Sequence, residues 1–133
     1  MPVSYHINAN DGLITLRIEG DVELEEIRRQ AERMFADPDY DSALPQLVDV
    51  RGMRLQPPGH AERAFRRYIA EHYGPRVQSS LAAVIDGDLD GGLCAAIFRL
   101  TCSVPGAELF DDYDHALRWL MRREFAPAHS CQA

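Results

Sequence analysis

Aspartates that could bind a cation are concentrated in one short stretch of the chain. Asp86–Gly91 reads DGDLDG, the first half of a calcium-binding loop, in which carboxylate oxygens supply several ligands. The complete loop needs a bidentate Glu at its twelfth position, where this chain has Ile97. We therefore predict no metal site. The pattern favours a turn in which Asp90 caps the following helix, while Asp86 and Asp88 lie near its positive end.

A second group of charged residues follows a short apolar run. The segment QLVDVR carries Asp49 and Arg51 at the end of a predicted buried strand, and the carboxyl ends of strands in open α/β sheets are where ligands bind. A local ion pair between the two side chains is the competing interpretation, and we favour it. The candidate ligand-binding residues at this edge of the sheet are Asp49, Arg51, Asp86, Asp88 and Asp90.

Recognisable catalytic motifs are absent from the sequence. The chain has no phosphate-loop, nucleophile-elbow or paired-histidine zinc motif. All 14 of its basic residues are arginine, so Schiff-base and phosphate-loop lysines are excluded. Its three cysteines form no C-x-x-C pair. We predict no catalytic residues and no cofactor, and we interpret His72, on the apolar side of a predicted helix, as a core histidine.

Composition indicates a single globular domain. The 133 residues have a net charge of −7 and are 46% hydrophobic, which disfavours a nucleic-acid partner because phosphates require a cationic surface. No apolar run is long enough to cross a membrane, and the start MPVSYHIN lacks the features of a signal peptide. We predict a cytoplasmic protein with one domain over residues 1–125 and a flexible tail over 126–133.

The hydrophobic periods predict strands and helices in the order β-β-α-β-α-β-α-β-α. The turn Asn10-Asp11-Gly12 joins a first hairpin, and Asp21 is placed to cap the first helix. Alternation of the later strands with helices implies parallel pairing. The predicted fold class is α/β, with a mixed sheet and helices on its faces. The predicted strands are Val3–Asn8, Leu13–Glu19, Gln46–Val50, Leu81–Ile85 and Ala107–Phe110. The predicted helices cover residues 24–36, 61–72, 93–102 and 111–123.

Two segments carry a resemblance to a known family. ADPDYDSALPQLVDVRGM (36–53) and AELFDDYDHALRWL (107–120) resemble an uncharacterised bacterial family of STAS/SEC14-like domains, related to the STAS domain of anti-sigma-factor antagonists. The resemblance implies the fold and a non-enzymatic binding or regulatory module. The phosphorylatable serine of the antagonists would fall within Arg51–His60, which contains neither Ser nor Thr, so their phosphorylation switch is not expected here.

Three functions remain open at this stage. The first is binding of a protein partner or a second copy, with Arg63, Arg66 and Arg67 as an outward docking surface. The second, by analogy with SEC14-like proteins, is carriage of a small apolar ligand. It needs a cavity, and the lining we predict for that cavity is Phe65, Ile69, Leu93 and Ile97. The third is a metal-assisted hydrolase that uses Asp49, Asp86 or Asp88.

Overall fold

The computed structural model describes residues 2–87, 97, 101, 104 and 106–122. Within them, the predicted strands and helices that are described occur in the predicted order, two further strands are present, and the α/β fold class is confirmed. The strands are β1 Val3–Asn8, β2 Leu13–Ile18, β3 Gly20–Glu23, β4 Gln46–Asp49, β5 Met53–Gln56, β6 Leu81–Val84 and β7 Ala107–Phe110. The α-helices are α1 Leu24–Ala36, α2 Ala61–Tyr68 and α3 Tyr113–Arg122.

The chain starts with the hairpin that its turn residues predict. Asn8 and Asp11 exchange hydrogen bonds across the turn: the Asn8 side-chain amide donates to the Asp11 carboxylate, and the Asp11 backbone N–H donates to Asn8 Oδ1. Gly12 closes the turn at a φ of 67°, a conformation that costs glycine little because it has no Cβ. β1 and β2 then pair antiparallel along their whole length.

The main sheet has five strands in the order β1-β2-β4-β6-β7. Every pair after the hairpin is parallel, and each new strand is added on the same side of the last. Because parallel crossovers are right-handed, this order carries the connecting helices to one face of the sheet. The last helix follows the last strand and is free to cover the other face.

Two hydrophobic clusters confirm this division. β6 is buried along its whole length, and alternate residues face opposite ways: Leu81 and Ala83 join the cluster of α1 and α2, whereas Ala82 and Val84 join the cluster of α3. A strand covered on both faces has this nearly continuous apolar character. The α3 cluster consists of Leu47, Ala82, Val84, Phe110, Ala116 and Leu120.

A second, two-stranded sheet is a feature that the sequence analysis missed. β3 and β5 pair in parallel and extend β2 and β4 beyond bends at Gly20 and Gly52, whose φ angles are 73° and 75°. The backbone N–H of Gly20 donates to the carbonyl of Gly52 at 2.9 Å. The alternation of buried Met53 and Leu55 with more exposed neighbours is the signal that could have predicted β5.

The predicted role of Asp21 as a helix cap is wrong. Asp21 lies in β3, where its carboxylate accepts a hydrogen bond of 2.7 Å from its cross-strand neighbour Arg54. The residue before α1 is Glu23, whose side chain makes no capping hydrogen bond. Strand pairing with β5 draws this segment into extended structure, so the helix begins after the position that local sequence suggested.

The predicted second helix changes its hydrogen-bonding pattern part way along. α2 ends at Tyr68, a π-helical turn follows over Ile69–Tyr73, and a 3₁₀ turn covers Gly74–Arg76. The wider π turn shifts the helical face relative to a regular 3.6-residue period. Tyr73 is therefore buried and His72 is exposed, so the prediction of a core histidine is wrong; His72 instead stacks on Tyr68.

Some predicted elements lie largely outside the described residues. Of the predicted helix over 93–102, Ile97 and Thr101 are described, and both are helical and buried. The predicted tail over 126–133 and the boundary of the domain at residue 125 are outside. None of the helices in the described ranges has the length and apolar character needed to cross a bilayer.

Candidate functional site: a strand-end ion pair and a cavity in the core

The charged residues at the end of β4 form a closed pair. Both carboxylate oxygens of Asp49 accept hydrogen bonds from the Arg51 guanidinium at 2.9 Å, and Oδ1 also accepts from the Arg51 backbone N–H. Asp49 is 3% exposed, on the face of the sheet that α3 covers. A buried carboxylate needs this compensation because burial removes its hydration. Its oxygens are therefore occupied by Arg51.

Arg51 also connects β4 to the start of α3. Its guanidinium lies over the ring of Tyr113, 5.2 Å from the centroid, which adds a cation–π contact to the ion pair. The pKa of Arg51 is raised above its ordinary value, first by the hydrogen bonds to Asp49 and further by the negative charges of Asp49 and Asp86. This geometry favours a structural role, because the carboxylate suited to acid–base or metal chemistry is already paired.

Of the other predicted ligand-binding residues, the structure describes only Asp86. Asp86 is half-buried just after β6, where its charge reaches Arg51. Asp88 and Asp90 lie outside the described residues. Within the described ranges, no three His, Cys, Asp or Glu side chains are grouped so that they could hold a metal ion.

A concave feature of a different kind is an apolar cavity in the larger core. It has a volume of about 40 Å³ and lies between the sheet and the layer formed by α1, α2 and the helical residues 97 and 101. Its surface is apolar. The residues around it are Leu16, Ile18, Ile27, Val48, Val50, Phe65, Tyr68, Ile69, Tyr73, Leu81, Ala83, Ile97 and Thr101.

The lining predicted from sequence agrees with the described part of this cavity. Phe65, Ile69 and Ile97 all line it, whereas Leu93 lies outside the described residues. Tyr68, a sequence neighbour of Ile69, lines it too. Tyr73 was not predicted, because the π turn brings it round to the same side. The local sequence contains no pattern that predicts the change from α-helical to π-helical hydrogen bonding.

The buried bond between Tyr73 and Gln46 holds one side of the cavity wall. The Tyr73 hydroxyl donates to Gln46 Oε1 at 2.9 Å, and the Gln46 amide donates to the Tyr40 hydroxyl at 3.4 Å. Gln46 is 1% exposed at the start of the central strand. Burial raises the pKa of Tyr73 far above its ordinary value, so its hydroxyl stays protonated and remains a donor.

The first turn of α3 is capped by a side chain. Asp112 precedes Tyr113, and its Oδ1 accepts a hydrogen bond of 3.0 Å from the backbone N–H of His115. This bond is the main reason that the pKa of Asp112 is lowered; the nearby backbone N–H of Asp114 and the charge of Arg118 act in the same direction. The cap holds the end of α3 that carries Tyr113 against Arg51.

Comparison of the chain with protein-family models, with curated proteins and with solved structures gives no match. The strand-end pair and the cavity are therefore interpreted from their own geometry and chemistry.

Replacing Arg51 should destabilise the fold because it leaves the buried carboxylate of Asp49 without its partner. We expect Arg51→Ala to lower the free energy of unfolding by about 2–3 kcal/mol. The loss is smaller than for a fully buried pair because part of the Arg51 side chain faces solvent. Urea unfolding followed by circular dichroism measures the change. Arg54→Ala is the matched control: its pair with Asp21 is exposed at both ends, so it should cost less than about 1 kcal/mol. Equal losses in the two variants would contradict a structural role specific to Arg51.

Acid should weaken the cap of α3. Because the pKa of Asp112 is lower in the folded protein, its contribution to stability is present above its unfolded pKa of about 3.9 and is lost as the pH falls through the folded value. Asp112→Asn keeps a capping oxygen but does not titrate. Unfolding free energies measured from about pH 6 downward should therefore decline less steeply in this variant than in the wild type. Asp111→Asn, which alters an exposed neighbour outside the cap, should follow the wild type; a common slope for all three proteins would refute the proposal.

Proposed function

We propose that the chain is a non-enzymatic binding module and that its ligand is a small apolar molecule held in the cavity beneath α2 and the π turn. The apolar cavity in the middle of the core carries this proposal. It lies among side chains from three neighbouring strands and from α1 and α2, so a bound molecule would contact both the sheet and the helices.

An unfilled cavity of this kind is unfavourable in a protein core. Interiors are close-packed, and side chains that face a void lose dispersion contacts. A volume of 40 Å³ exceeds the roughly 10–15 Å³ that one water needs, but a water also requires polar partners, and the lining is apolar. An apolar molecule restores the missing contacts without having to be hydrogen-bonded.

The size of the cavity limits its occupant. An engineered apolar cavity of about 150 Å³ accepts benzene, so a volume of 40 Å³ fits a smaller molecule or part of a larger one unless the lining moves. We infer an alkyl or aryl group as the chemical class of ligand, with the lining adjusting to anything larger than a few carbon atoms.

The resemblance to STAS/SEC14-like domains is compatible with this function. It implies a module that acts by binding, and the segment Arg51–His60 lacks the hydroxyl side chain that a phosphorylation switch would need. The hydrolase alternative is disfavoured, because Asp49, its best-placed carboxylate, is paired through both oxygens with Arg51.

Filling the cavity should abolish ligand binding. Benzene or octanol should raise the melting temperature of the wild type by about 3–6 °C when present at about ten times its Kd, since a ligand that binds only the folded state stabilises it. Ala83→Val adds two methyl groups on the cavity side of β6 and should remove this shift.

Ala82→Val is the matched control, because Ala82 is the adjacent buried residue of the same strand and faces α3. It should keep the shift even if its own melting temperature is lower. Nuclear magnetic resonance titration at low temperature checks both variants in their folded state. If neither benzene nor octanol shifts the melting temperature of the wild type, the function is refuted. Loss of binding in both variants would refute the site.

Self-association is a second candidate, favoured by the charge on the outside of α2. Arg63, Arg66 and Arg67 are exposed, and within the described residues none of them forms an ion pair. The net charge of the chain is −7, so an acidic surface of a second copy is complementary to this basic face. Exposed ion pairs contribute at most about 1 kcal/mol each, so the association would be weak and sensitive to salt.

Sedimentation velocity tests this second candidate. The wild type should show concentration-dependent association at low ionic strength that disappears in high salt, and Arg66→Glu should abolish it. A wild type that stays monomeric at low ionic strength would remove self-association as a function.

A further inference from the structure

We propose that the π-helical turn Ile69–Tyr73 is the movable wall of the cavity and that an apolar ligand enters and leaves by displacement of this turn. The inference rests on the proposed function, because it concerns how the same cavity is filled. The cavity of about 40 Å³ must enlarge before a larger alkyl or aryl group can bind, and the inference identifies the segment that moves to enlarge it.

The turn and the end of α2 form a continuous part of the lining. Phe65, Tyr68, Ile69 and Tyr73 all line the cavity, whereas the sheet side of the lining comes from strands β2, β4 and β6, which are held by the ladder of the main sheet. Displacing a strand would break that ladder. Displacing the turn leaves it intact, so the turn is easier to move than the sheet side of the cavity.

The π turn is also the less regular part of its helix. Its hydrogen bonds span five residues, as in the bond from the Gly74 N–H to the Ile69 carbonyl, and such single turns within helices occur frequently at functional sites. Its outward residues Ala70, Glu71 and His72 are exposed. A shift of the turn away from the sheet therefore moves these side chains through solvent and needs no repacking on that side.

Two tyrosine hydroxyls act on the turn in opposite directions. The Tyr73 hydroxyl holds the end of the turn to the central strand through its buried bond to Gln46. The Tyr68 hydroxyl is buried and has no hydrogen-bond partner among the described residues. A buried polar group without a partner is unfavourable and would gain a bond to water on exposure. Tyr73 therefore favours the closed wall, and Tyr68 favours the open one.

Removal of each hydroxyl should change ligand exchange in opposite senses. With benzene as the probe, exchange rates from nuclear magnetic resonance line shapes should rise roughly five- to tenfold in Tyr73→Phe, the range expected for losing one buried hydrogen bond from the closed state. In Tyr68→Phe the rates should fall, because opening no longer hydrates a buried hydroxyl.

Tyr40→Phe is the matched control. It removes the other hydroxyl that contacts Gln46, but Tyr40 lies in the loop after α1 and not in the turn, so the exchange rate should stay at the wild-type value. If benzene binds and both Tyr73→Phe and Tyr68→Phe exchange it at the wild-type rate, the movable wall is refuted while the binding function stands. If benzene and octanol both fail to bind the wild type, the function itself is refuted. Tyr68→Phe keeps the test decisive if loss of the Tyr73 bond prevents folding.

Discussion

Burial of the central strands on both faces is the constraint on which the rest of the structure depends. β4 and β6 have neighbours on both sides, and their alternate residues belong to different hydrophobic clusters. A parallel ladder of this kind is stable only when helices cover both faces. The one-directional strand order sends α1 and α2 to one face, and α3 closes the other. The strand-end pair and the cavity both lie where this cover meets the sheet.

The two polar groups buried in β4 show how the fold treats each face. Asp49 faces α3 and is neutralised by Arg51, which also contacts Tyr113 at the start of that helix. Gln46 faces the other way and is bonded to Tyr73. Each pair satisfies a polar group that burial would otherwise penalise. Each pair also connects the central strand to the helical layer above it. The contacts that provide a hydrogen-bond partner for the buried group therefore also hold a helix against the sheet.

The two faces carry different features. On the α3 side, Phe110 has ring contacts with His115 and Trp119. On the other side, the cavity remains between the sheet and the π turn. A void in the larger layer fits a binding role there, whereas the strand-end pair on the α3 side fits stability. Asp49 and Arg51, whose types first suggested chemistry, therefore pair with each other, and apolar residues carry the proposed function.

Local patterns in the chain were enough for the α/β class, the hairpin and most element positions, because alternation with a period of two and apolar stripes at helical spacing follow directly from which faces are buried. They also indicated Phe65, Ile69 and Ile97 as cavity residues and the pairing of Asp49 with Arg51, since neighbours in sequence or on one helix face are fixed by local geometry. Three features required the folded chain. β3 and β5 exist because Gly20 and Gly52 bend two strands in concert, and each short strand is stable only beside the other. The exposure of His72 and the burial of Tyr73 depend on a π turn that the sheet beneath it holds through Gln46. The cavity forms because the helical layer and the sheet do not pack completely against each other. The distance between these two surfaces depends on the whole fold, so no single segment of the sequence predicts it.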